Sequence, residues 1–576
     1  MGVLTILIVL PIAGALLLLI PPYGHASGVR RVALLTSVVT AGVALWALVQ
    51  FCQQEPGKVR DDLSYVLQED HDWLSSQLVV RQMLDGRIGE IPAINIRYHV
   101  GVDGISIWLI VLTSFLMPMA IWGSFSSIRE RVREYYCLLL LLQAGLIGVF
   151  CAMDLLLFYV CFEFTLIPLY FLIGIWGGPQ KRRAASKFFI YTLAGSVLTF
   201  AGVVFLVFFS YDQLGHATLD IEELTHLGQT GILGFNTQWW LFLAFAAGFA
   251  IKVPLFPVHT WLPLAHTEAP TAGSVILAGV LLKLGTYGFC RLGIPMFPDA
   301  AFFLAPTVAT LAIVGILYAA LAAWVQTDVK KLVAYSSVSH LGFCMLGLFS
   351  LKVAGVTGGV IYMINHGLST GALFLVIGCV YERYHTRDIH KIGGLAKPMP
   401  IMAFFLVFFT LSSIGLPGLN GFVGEFLVLL GTATSSTMKD GLTSGPLGYG
   451  YVIPAALGII LGAVYMLWMC RCVLFGPLNQ PPDTPDISRG LTKDLTRREI
   501  GILAPIALAC VVLGVYPKPM LDTFEIAARD HVLRTPYISY HPDADKLPEE
   551  LGLASPVSDV SLTEASRGNP LGGDLQ

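Results

Sequence analysis

Six ionisable side chains interrupt stretches of the sequence that are otherwise apolar enough to cross a membrane: Glu163, Lys252, Lys283, His340, His366 and Glu425. Placing a charge at the centre of a bilayer costs about 2.5 to 3.5 kcal/mol on insertion scales, so such residues face the protein interior or water and are functional candidates. Burial and neighbouring charges shift the pKa values of acids and bases in opposite directions, which suits them to exchanging protons. The pattern therefore predicts a proton relay inside the membrane.

Two of the six lie beside residues that break helices. In "AFAAGFAIKVPLFPVHTWLPLAH", Lys252 is followed at once by Pro254 and Pro257. In "SSIGLPGLNGFVGEF", Pro417 and neighbouring glycines precede Glu425. A broken helix frees backbone polar groups, which a membrane tolerates only where they are buried in protein or line a water-filled cavity. We therefore expect a hydrated hinge beside each of these two residues.

Each of these residues also has a structural explanation. Glu163 and Lys252 could form an ion pair with no role in transport, although that pair leaves Lys283 without a carboxylate partner nearby in the sequence. His340 and His366, taken alone, suit hydrogen-bonded packing inside a bundle. Four further ionisable residues lie near predicted helix ends, where snorkelling or solvation explains them: Asp154, His259, His266 and Glu382.

The composition is that of a membrane protein. Of the 576 residues, 55% are hydrophobic and only 13% are charged, and the mean hydropathy is +0.72. Apolar runs of spanning length recur from end to end, so we predict one all-α polytopic membrane protein rather than several globular domains. Fourteen transmembrane helices are predicted, at approximately residues 3–21, 31–51, 103–124, 135–152, 155–176, 186–210, 238–262, 270–291, 302–324, 329–350, 356–382, 400–432, 451–475 and 500–516.

Several classes of function lack support in the sequence. The net charge is −3, and no basic stripe or aromatic-rich module indicates nucleic-acid binding. The ten cysteines are scattered, mostly within apolar runs, without the paired CxxC motifs of zinc or iron–sulfur sites. Nucleotide-binding glycine motifs are also missing. We therefore expect this chain to bind no metal and no redox cofactor.

Loop charges predict the orientation of the helices. Lysine and arginine are concentrated in alternate short loops, for example within residues 181–187, 330–331 and 383–397. Positive charge in short loops is retained on the cytoplasmic side, so these loops are predicted to be cytoplasmic. Because the predicted number of helices is even, both termini are then non-cytoplasmic.

Three sequence matches suggest an internal duplication. "DLLLFYVCFEF" at 154 matches "DVKKLVAYSSVSH" at 328, "FIYTLAGS" at 189 matches "VIYMINHG" at 360, and Lys252 matches Glu425, with offsets of 174, 171 and 173 residues. Each copy contains five helices, an odd number, so the copies have opposite orientations, as in many secondary transporters. The predicted repeats are residues 135–292 and 301–475, and chance similarity between apolar helices is the alternative.

The remaining residues form segments outside the repeats. Residues 1–124 contain helices 1–3 and a long, mixed-charge segment at 52–98, which we predict to be an external loop. A final helix is predicted at 500–516. Residues 517–576 are rich in Pro, Asp, Glu and Ser, which predicts a weakly ordered polar tail.

Four long motifs carry a resemblance to a known family: "FYVCFEFTLIPLYFLIGIWG", "FAIKVPLFPVHTWLPLAHTEAPTAGSVILAGVLLKLGTYG", "DVKKLVAYSSVSHLGF" and "GLPGLNGFVGEF". They strongly resemble the antiporter-like membrane subunits of respiratory complex I, and the resemblance covers about residues 100 to 516. Within that family the L and N types usually carry lysine in helix 12, whereas the M type carries glutamate, as Glu425 does here. The L type also continues into a long lateral helix, which the proline-punctuated tail is not expected to form.

The resemblance implies a role for each member of the row. In chain order they resemble the glutamate paired with the pumping lysine, that lysine, the lysine connecting two half-channels, two relay histidines and the terminal site of the second half-channel: Glu163, Lys252, Lys283, His340, His366 and Glu425. The family often has aspartate where this sequence has Leu264, so no role is carried onto that position or onto the 52–98 loop.

The resemblance also implies partners and a location. The chain would be a proton-translocating module of NADH:quinone oxidoreductase, beside L-type and N-type subunits in a bacterial-type inner (plasma) membrane. FMN, iron–sulfur clusters, NADH and quinone would bind to other subunits. The alternative is a subunit of a multisubunit Na+/H+ antiporter or of a membrane-bound hydrogenase, because those relatives share the lysines.

Overall fold

The structure of the protein is a computed structural model that describes residues 2–20, 26–53, 65–75, 81–84, 87–90, 95–436, 445–487 and 490–533. Among these residues, ten helical segments are long and apolar enough to cross a membrane. Three shorter apolar helices accompany them: Val3–Leu19, Pro400–Ser413 and Asn420–Ala433. The chain is therefore a helical multi-pass membrane protein, which confirms the predicted class.

The N-terminal half consists of ten helices followed by one composite helix. The ten are α1 (Val3–Leu19), α2 (Ala26–Gln53), α3 (Ser106–Gly123), α4 (Val132–Cys151), α5 (Leu155–Phe164), α6 (Leu166–Trp176), α7 (Lys181–Leu214), α8 (Ile221–Gln229), α9 (Phe235–Lys252) and α10 (Leu262–Glu268). The composite helix contains two π-helical turns, whose hydrogen bonds span one residue more than in an α-helix. Its parts are α11 (Thr271–Ile276), π1 (Leu277–Leu281), α12 (Leu282–Gly288), π2 (Phe289–Gly293) and α13 (Ile294–Met296).

The C-terminal half contains eight helices and one terminal π-helical turn. They are α14 (Pro298–Trp324), α15 (Val329–Leu348), α16 (Val353–Tyr384), α17 (Pro400–Ser413), α18 (Asn420–Ala433), α19 (Tyr449–Leu474), α20 (Arg497–Val515), α21 (Lys518–Ala527) and π3 (Ala528–Val532). The predicted tail thus begins with a helix that follows Pro517. Residues 534–576 of that tail lie outside the described residues.

Strands occur in the segment that was predicted to be an external loop. β1 (Val66–Ser75) pairs antiparallel with β4 (Asn95–Val102), and β2 (Arg81–Leu84) pairs antiparallel with β3 (Arg87–Glu90). β4 continues the pairing onto the end of α4, where the Met153 amide donates to the His99 carbonyl at 2.9 Å. We call this end of the bundle, with β1, β4 and α8, the sheet face. The parts of the predicted loop at 54–64, 76–80, 85–86 and 91–94 lie outside the described residues.

The β1–β4 pair also holds the start of α1. The Glu69 carboxylate accepts hydrogen bonds from the amides of Gly2, Leu4 and Thr5 and from the Thr5 hydroxyl, at 2.7 to 3.1 Å. These amides are the free donors that every helix N-terminus presents. Burial alone would raise the pKa of Glu69, but the hydrogen bonds from Thr5, Gly2 and Leu4 hold it below its usual value of 4.5. An ionised Glu69 therefore caps the first helix.

Two elements form the centre of the bundle. The apolar stretches of α16 and of the composite helix Thr271–Met296 are buried throughout, whereas those of α2 and α20 are largely exposed. Lipid tails are as apolar as the exposed Leu, Val and Phe side chains, so the outer helices can face the lipid without a cost for exposing these side chains. Polar groups on the two central elements are consequently shielded from lipid on all sides.

Predicted helices and observed helices differ in two places that affect the site. The helix predicted at 155–176 is interrupted at Thr165, between α5 and α6. The helix predicted at 270–291 continues to Met296 and contains π1 and π2. Apolar periodicity does not distinguish a π-helical turn from an α-helical one, so the sequence carried no signal for either.

Candidate proton-transfer site

The first helix break places Lys252 in the protein interior. Lys252 is the last residue of α9, and helix resumes only at Leu262, after Pro254 and Pro257. A proline removes a backbone donor and cannot continue a helix, so the chain turns here. The Lys252 side chain is 1% exposed. A cationic amine thus lies at the end of a helix, beside an irregular segment inside the bundle.

The Lys252 amine contacts one residue in two ways. Its Nζ donates a 2.6 Å hydrogen bond to the Phe162 carbonyl and lies 3.1 Å from the centroid of the Phe162 ring. The Thr165 hydroxyl donates to the same carbonyl at 2.8 Å, from the interruption between α5 and α6. A carbonyl oxygen and an aromatic face both attract an ammonium ion. Phe162 therefore supplies the immediate surroundings of the amine.

Glu163 lies next to Phe162 but is not bonded to the amine. Lys252 and Glu163 are close enough to interact electrostatically, yet within the described residues no nitrogen–oxygen distance of 4 Å or less joins them. The buried Oε1 of Glu163 has no hydrogen-bond partner among the described residues. Lys252 and Glu163 are thus neighbours without a direct ion pair between them in the described structure.

Lys283 and His366 meet at the centre of the bundle. Lys283 follows π1 and is fully buried, and its Nζ lies 2.7 Å from His366 Nδ1 on α16. The amine also donates to the Ala278 carbonyl, which belongs to π1. π-Helical turns within α-helices occur frequently at functional sites. Here the turn supplies an acceptor for a lysine that forms no ion pair with a carboxylate among the described residues.

A second set of hydrogen bonds runs from α15 to α18. His340 Nδ1 lies 2.5 Å from the Tyr362 hydroxyl, which donates to Glu425 Oε1 at 2.6 Å. The Ser413 hydroxyl lies 3.3 Å from His340 Nε2. All four side chains are buried. Hydroxyl and imidazole groups both donate and accept, so this set can pass a proton by exchanging those roles.

The second helix break brings glycine against the acid. Gly415 has a φ of +75°, a conformation that glycine adopts without steric cost. A Cβ on Gly415 would overlap the Glu425 carboxylate. Pro417 follows at once, and α18 begins at Asn420. The glycine–proline break therefore lets the chain cross closely over the acid that it precedes.

The structure brings four of the six predicted residues into one row, in the order Lys283, His366, His340 and Glu425. The rings of the two histidines are 5.8 Å apart between centroids. Lys252 and Glu163 lie at the other break, and no hydrogen bond or ion pair between described residues joins them to this row. Sequence reasoning missed Tyr362 and Ser413, because neither an interior tyrosine nor an interior serine is unusual in a helical membrane protein.

All four residues that were assigned to snorkelling or solvation are instead buried: Asp154, His259, His266 and Glu382. His266 is fully buried, with its ring 4.8 Å from the Phe374 ring. Glu382 accepts a 2.6 Å hydrogen bond from Ser126. Asp154 caps α5 by accepting from two backbone amides at 2.9 Å. Position near a predicted helix end was the wrong criterion, because neighbouring elements cover these ends.

Comparison with known proteins identifies the family. Residues 152–440 match the family described as "NADH:quinone oxidoreductase/Mrp antiporter, TM", and residues 88–149 match "NADH-ubiquinone oxidoreductase chain 4, amino terminus". The chain is 41% identical to NADH-quinone oxidoreductase subunit M of Rhodobacter capsulatus, over 90% of this chain and 94% of the relative. This chain belongs to the subunit M (chain 4) family of NADH-quinone oxidoreductase. The predicted resemblance is confirmed.

Further members of the subunit M family agree. NADH-ubiquinone oxidoreductase chain 4 of Marchantia polymorpha is 39% identical over 90% of this chain and 94% of its own. A chain of respiratory complex I from Thermus thermophilus has the same fold, with a TM-score of 0.75 and 28% identity over 92% of this chain and 99% of its own. These relatives favour the complex I interpretation over a Na+/H+ antiporter or hydrogenase subunit.

Proposed function

We propose that this chain translocates protons as a membrane subunit of an NADH:quinone oxidoreductase. The observation that carries the proposal is the set of hydrogen bonds joining His340, Tyr362 and Glu425, beside the Lys283–His366 pair, in the interior of a membrane bundle of this family. In that role Glu425 exchanges protons with one side of the membrane. Lys283 connects this half with the half containing Glu163 and Lys252.

The proton steps follow from the chemistry of the side chains. When Glu425 takes up a proton, its bond with the Tyr362 hydroxyl can reverse, and Tyr362 can then hand a proton to His340. Lys252 is held by a carbonyl and a ring rather than by a carboxylate. Movement of Glu163 toward or away from Lys252 would then alter how readily the amine releases its proton. The energy for that movement would come from quinone reduction on other subunits.

We further propose fourteen membrane crossings and two inverted repeats, at residues 135–292 and 301–475. Two matching aspartates support the repeat. Asp154 accepts from the amides of Leu156 and Leu157 and caps α5, and Asp328 accepts from the amides of Lys330 and Lys331 and caps α15. Asp154 lies at the sheet face. Asp328 follows α14, which starts near the sheet face and crosses the bundle, so the two caps have opposite orientations, as inversion requires.

The repeat and the loop charges together give an orientation. The lysine- and arginine-rich segments at 181–187, 330–331 and 383–397, at the ends of helices, would be cytoplasmic. Both termini would be on the other side, in a bacterial-type inner membrane. The sheet face would then be non-cytoplasmic. L-type and N-type antiporter-like subunits are the proposed neighbours. FMN, iron–sulfur clusters, NADH and quinone would bind to other subunits, with no cofactor in this chain.

The test replaces the acid at the end of the row. We expect Glu425→Gln to lower NADH-driven proton pumping strongly in inverted membrane vesicles, because glutamine keeps the shape and hydrogen bonding of glutamate but does not titrate. Glu425→Asp should keep partial pumping. Electron transfer from NADH to an artificial acceptor and the yield of assembled complex are measured in parallel. Normal pumping by an assembled Glu425→Gln complex would disprove the proposed terminal site.

A further inference from the structure

The row of side chains is interrupted between its two histidines. His366 uses Nδ1 for Lys283, and its Nε2 is buried without a hydrogen-bond partner among the described residues. His340 uses Nδ1 for Tyr362, and its Nε2 faces Ser413. No hydrogen bond therefore joins His366 to His340. A proton that reaches one histidine has no direct route to the other in this conformation.

A narrow polar pocket lies between the two histidines, where the row is interrupted. Both histidines line it together with hydroxyl and amide side chains from α16 and α17: Tyr362, Asn365, Ser369, Ser412 and Ser413. Besides His366 Nε2, the pocket has a second unpartnered atom, Asn365 Oδ1. Buried polar groups are normally paired, and a small polar cavity with such groups is a suitable water site. Here the pocket is too narrow to accept a water molecule.

Two asparagines join α16 to α18 beside the pocket. Asn365 Nδ2 on α16 donates to the Asn420 carbonyl at 2.6 Å, and Asn420 Nδ2 donates to the Asn365 carbonyl at 3.3 Å. The Ser412 hydroxyl at the end of α17 donates to Asn420 Oδ1 at 2.5 Å. Asn420 is the first residue of α18, directly after the helix break. We call these three side chains the amide clamp; it ties both ends of the break to α16.

We propose that Asn365 and Asn420 are positioning residues that gate proton transfer between His366 and His340. With the amide clamp closed, the pocket is dry and the row is interrupted. When the start of α18 moves at the break, the clamp opens and one water molecule enters, bonded to His366 Nε2 and Asn365 Oδ1 and within reach of Ser413 and His340. The inference rests on the proposed function, because a gate matters only if the row carries protons.

The gate predicts a leak when the clamp is weakened. Vesicles containing the assembled complex, without NADH, are given a potassium diffusion potential, and proton flux is followed with a pH dye. Asn420→Ala removes two side-chain hydrogen bonds of the clamp. We expect it to raise that flux by at least about three- to tenfold, the factor by which loss of one hydrogen bond shifts an equilibrium. The protons pumped per NADH oxidised should fall. Ser37→Ala, which removes a buried hydroxyl bonded within α2, is the matched control and should not leak.

A second substitution separates the gate from general damage. In the double variant Asn420→Ala/Glu425→Gln the proton leak should disappear, because the proposed route needs Glu425. If the leak persists, the protons take another route and the proposal is overturned. If Asn420→Ala prevents assembly, Ser412→Ala should leak and Ser412→Thr, which keeps the hydroxyl, should not. If Ser412→Ala leaks no more protons than Ser412→Thr, or if Asn420→Ala leaks no more than wild type, the gate is refuted. If Glu425→Gln alone pumps normally, the proposed function fails instead.

Discussion

The two helix breaks surround their ionisable residues in different ways. At the first, between α9 and α10, Lys252 is held by the carbonyl and the ring of Phe162. Glu163 lies nearby, with no ion pair to Lys252 in the described part of the chain. At the second, between α17 and α18, Glu425 is tied through Tyr362 to His340. In the described structure, the lysine at the first break is therefore not hydrogen-bonded to any side chain. The acid at the second break ends a chain of side-chain hydrogen bonds.

The difference follows from what each break is made of. Pro254 and Pro257 form the first, whereas Gly415, Pro417 and Gly418 form the second. Gly415, with its positive φ, lets the backbone pass directly over the Glu425 carboxylate. The prolines of the first break end the helix, and the Lys252 amine contacts Phe162. Under the proposed repeat and the proposed function, matching positions would thus serve as a switch at one break and as the end of a hydrogen-bonded relay at the other.

The largest effect on proton pumping is expected from removing Lys252, the lysine at the first break. The groups that contact the Lys252 amine, a carbonyl and an aromatic ring, cannot replace it as a proton carrier. Lys252→Ala should therefore lower NADH-driven pumping by about tenfold or more. This is a cautious figure, because a positioned proton-transfer group commonly contributes a larger factor. Electron transfer to an artificial acceptor should persist. Lys397→Ala, at an exposed lysine, is the matched control. Pumping equal to wild type in Lys252→Ala vesicles would contradict the role of the first break.

Cutting the relay at the second break should have the next largest effect. Tyr362→Phe keeps the ring but removes the hydroxyl that joins His340 to Glu425, so we expect pumping to fall by up to about tenfold, less than the roughly hundredfold at the low end of what a positioned proton-transfer group contributes. Tyr384→Phe is the control, because the buried Tyr384 hydroxyl has no hydrogen-bond partner in the described part of the chain. Equal pumping by both variants would show that water, not Tyr362, links the two residues.

Lys252, Glu425 and the breaks beside them could be predicted because their signals are local. A charge in an apolar run and a proline in a helix each have a cost that a single segment reveals. Tyr362 and the clamp residue Asn420 could not, because their roles depend on which atoms three separate helices bring together. His266 was misjudged for the same reason, since its burial comes from neighbouring helices.

A smaller effect should separate backbone strain from contact with the acid. An alanine at either glycine of the second break is strained by about 1 to 3 kcal/mol, because both have positive φ. Only at Gly415 would the new methyl group also overlap Glu425; at Gly418 it meets open space. We expect Gly415→Ala to reduce both thermal stability and pumping, and Gly418→Ala to reduce stability alone. If Gly418→Ala impairs pumping as much, the closeness of Gly415 to the acid has no special role.

The smallest effect concerns the aromatic ring at the first break. Phe162→Leu removes the ring but keeps the carbonyl that accepts from Lys252, so only the cation–π attraction is lost. Such an attraction is worth about 2 kcal/mol when desolvated. It favours the charged amine at this position, and its loss should lower pumping severalfold while assembly persists. The comparison needs a control for packing, because replacing a buried phenylalanine also leaves space.

Phe158 supplies that control. It is buried on the same helix, stacked on Phe162 at 5.6 Å between centroids, and Lys252 does not lie over its ring. Phe158→Leu should therefore share the packing cost of Phe162→Leu without the electrostatic one. A larger pumping defect in Phe162→Leu, at equal thermal stability, would show that the ring tunes the amine. Equal defects would mean that the backbone carbonyl of Phe162 alone holds Lys252. The ionisable residue would then be held by backbone at the first break and by side chains at the second.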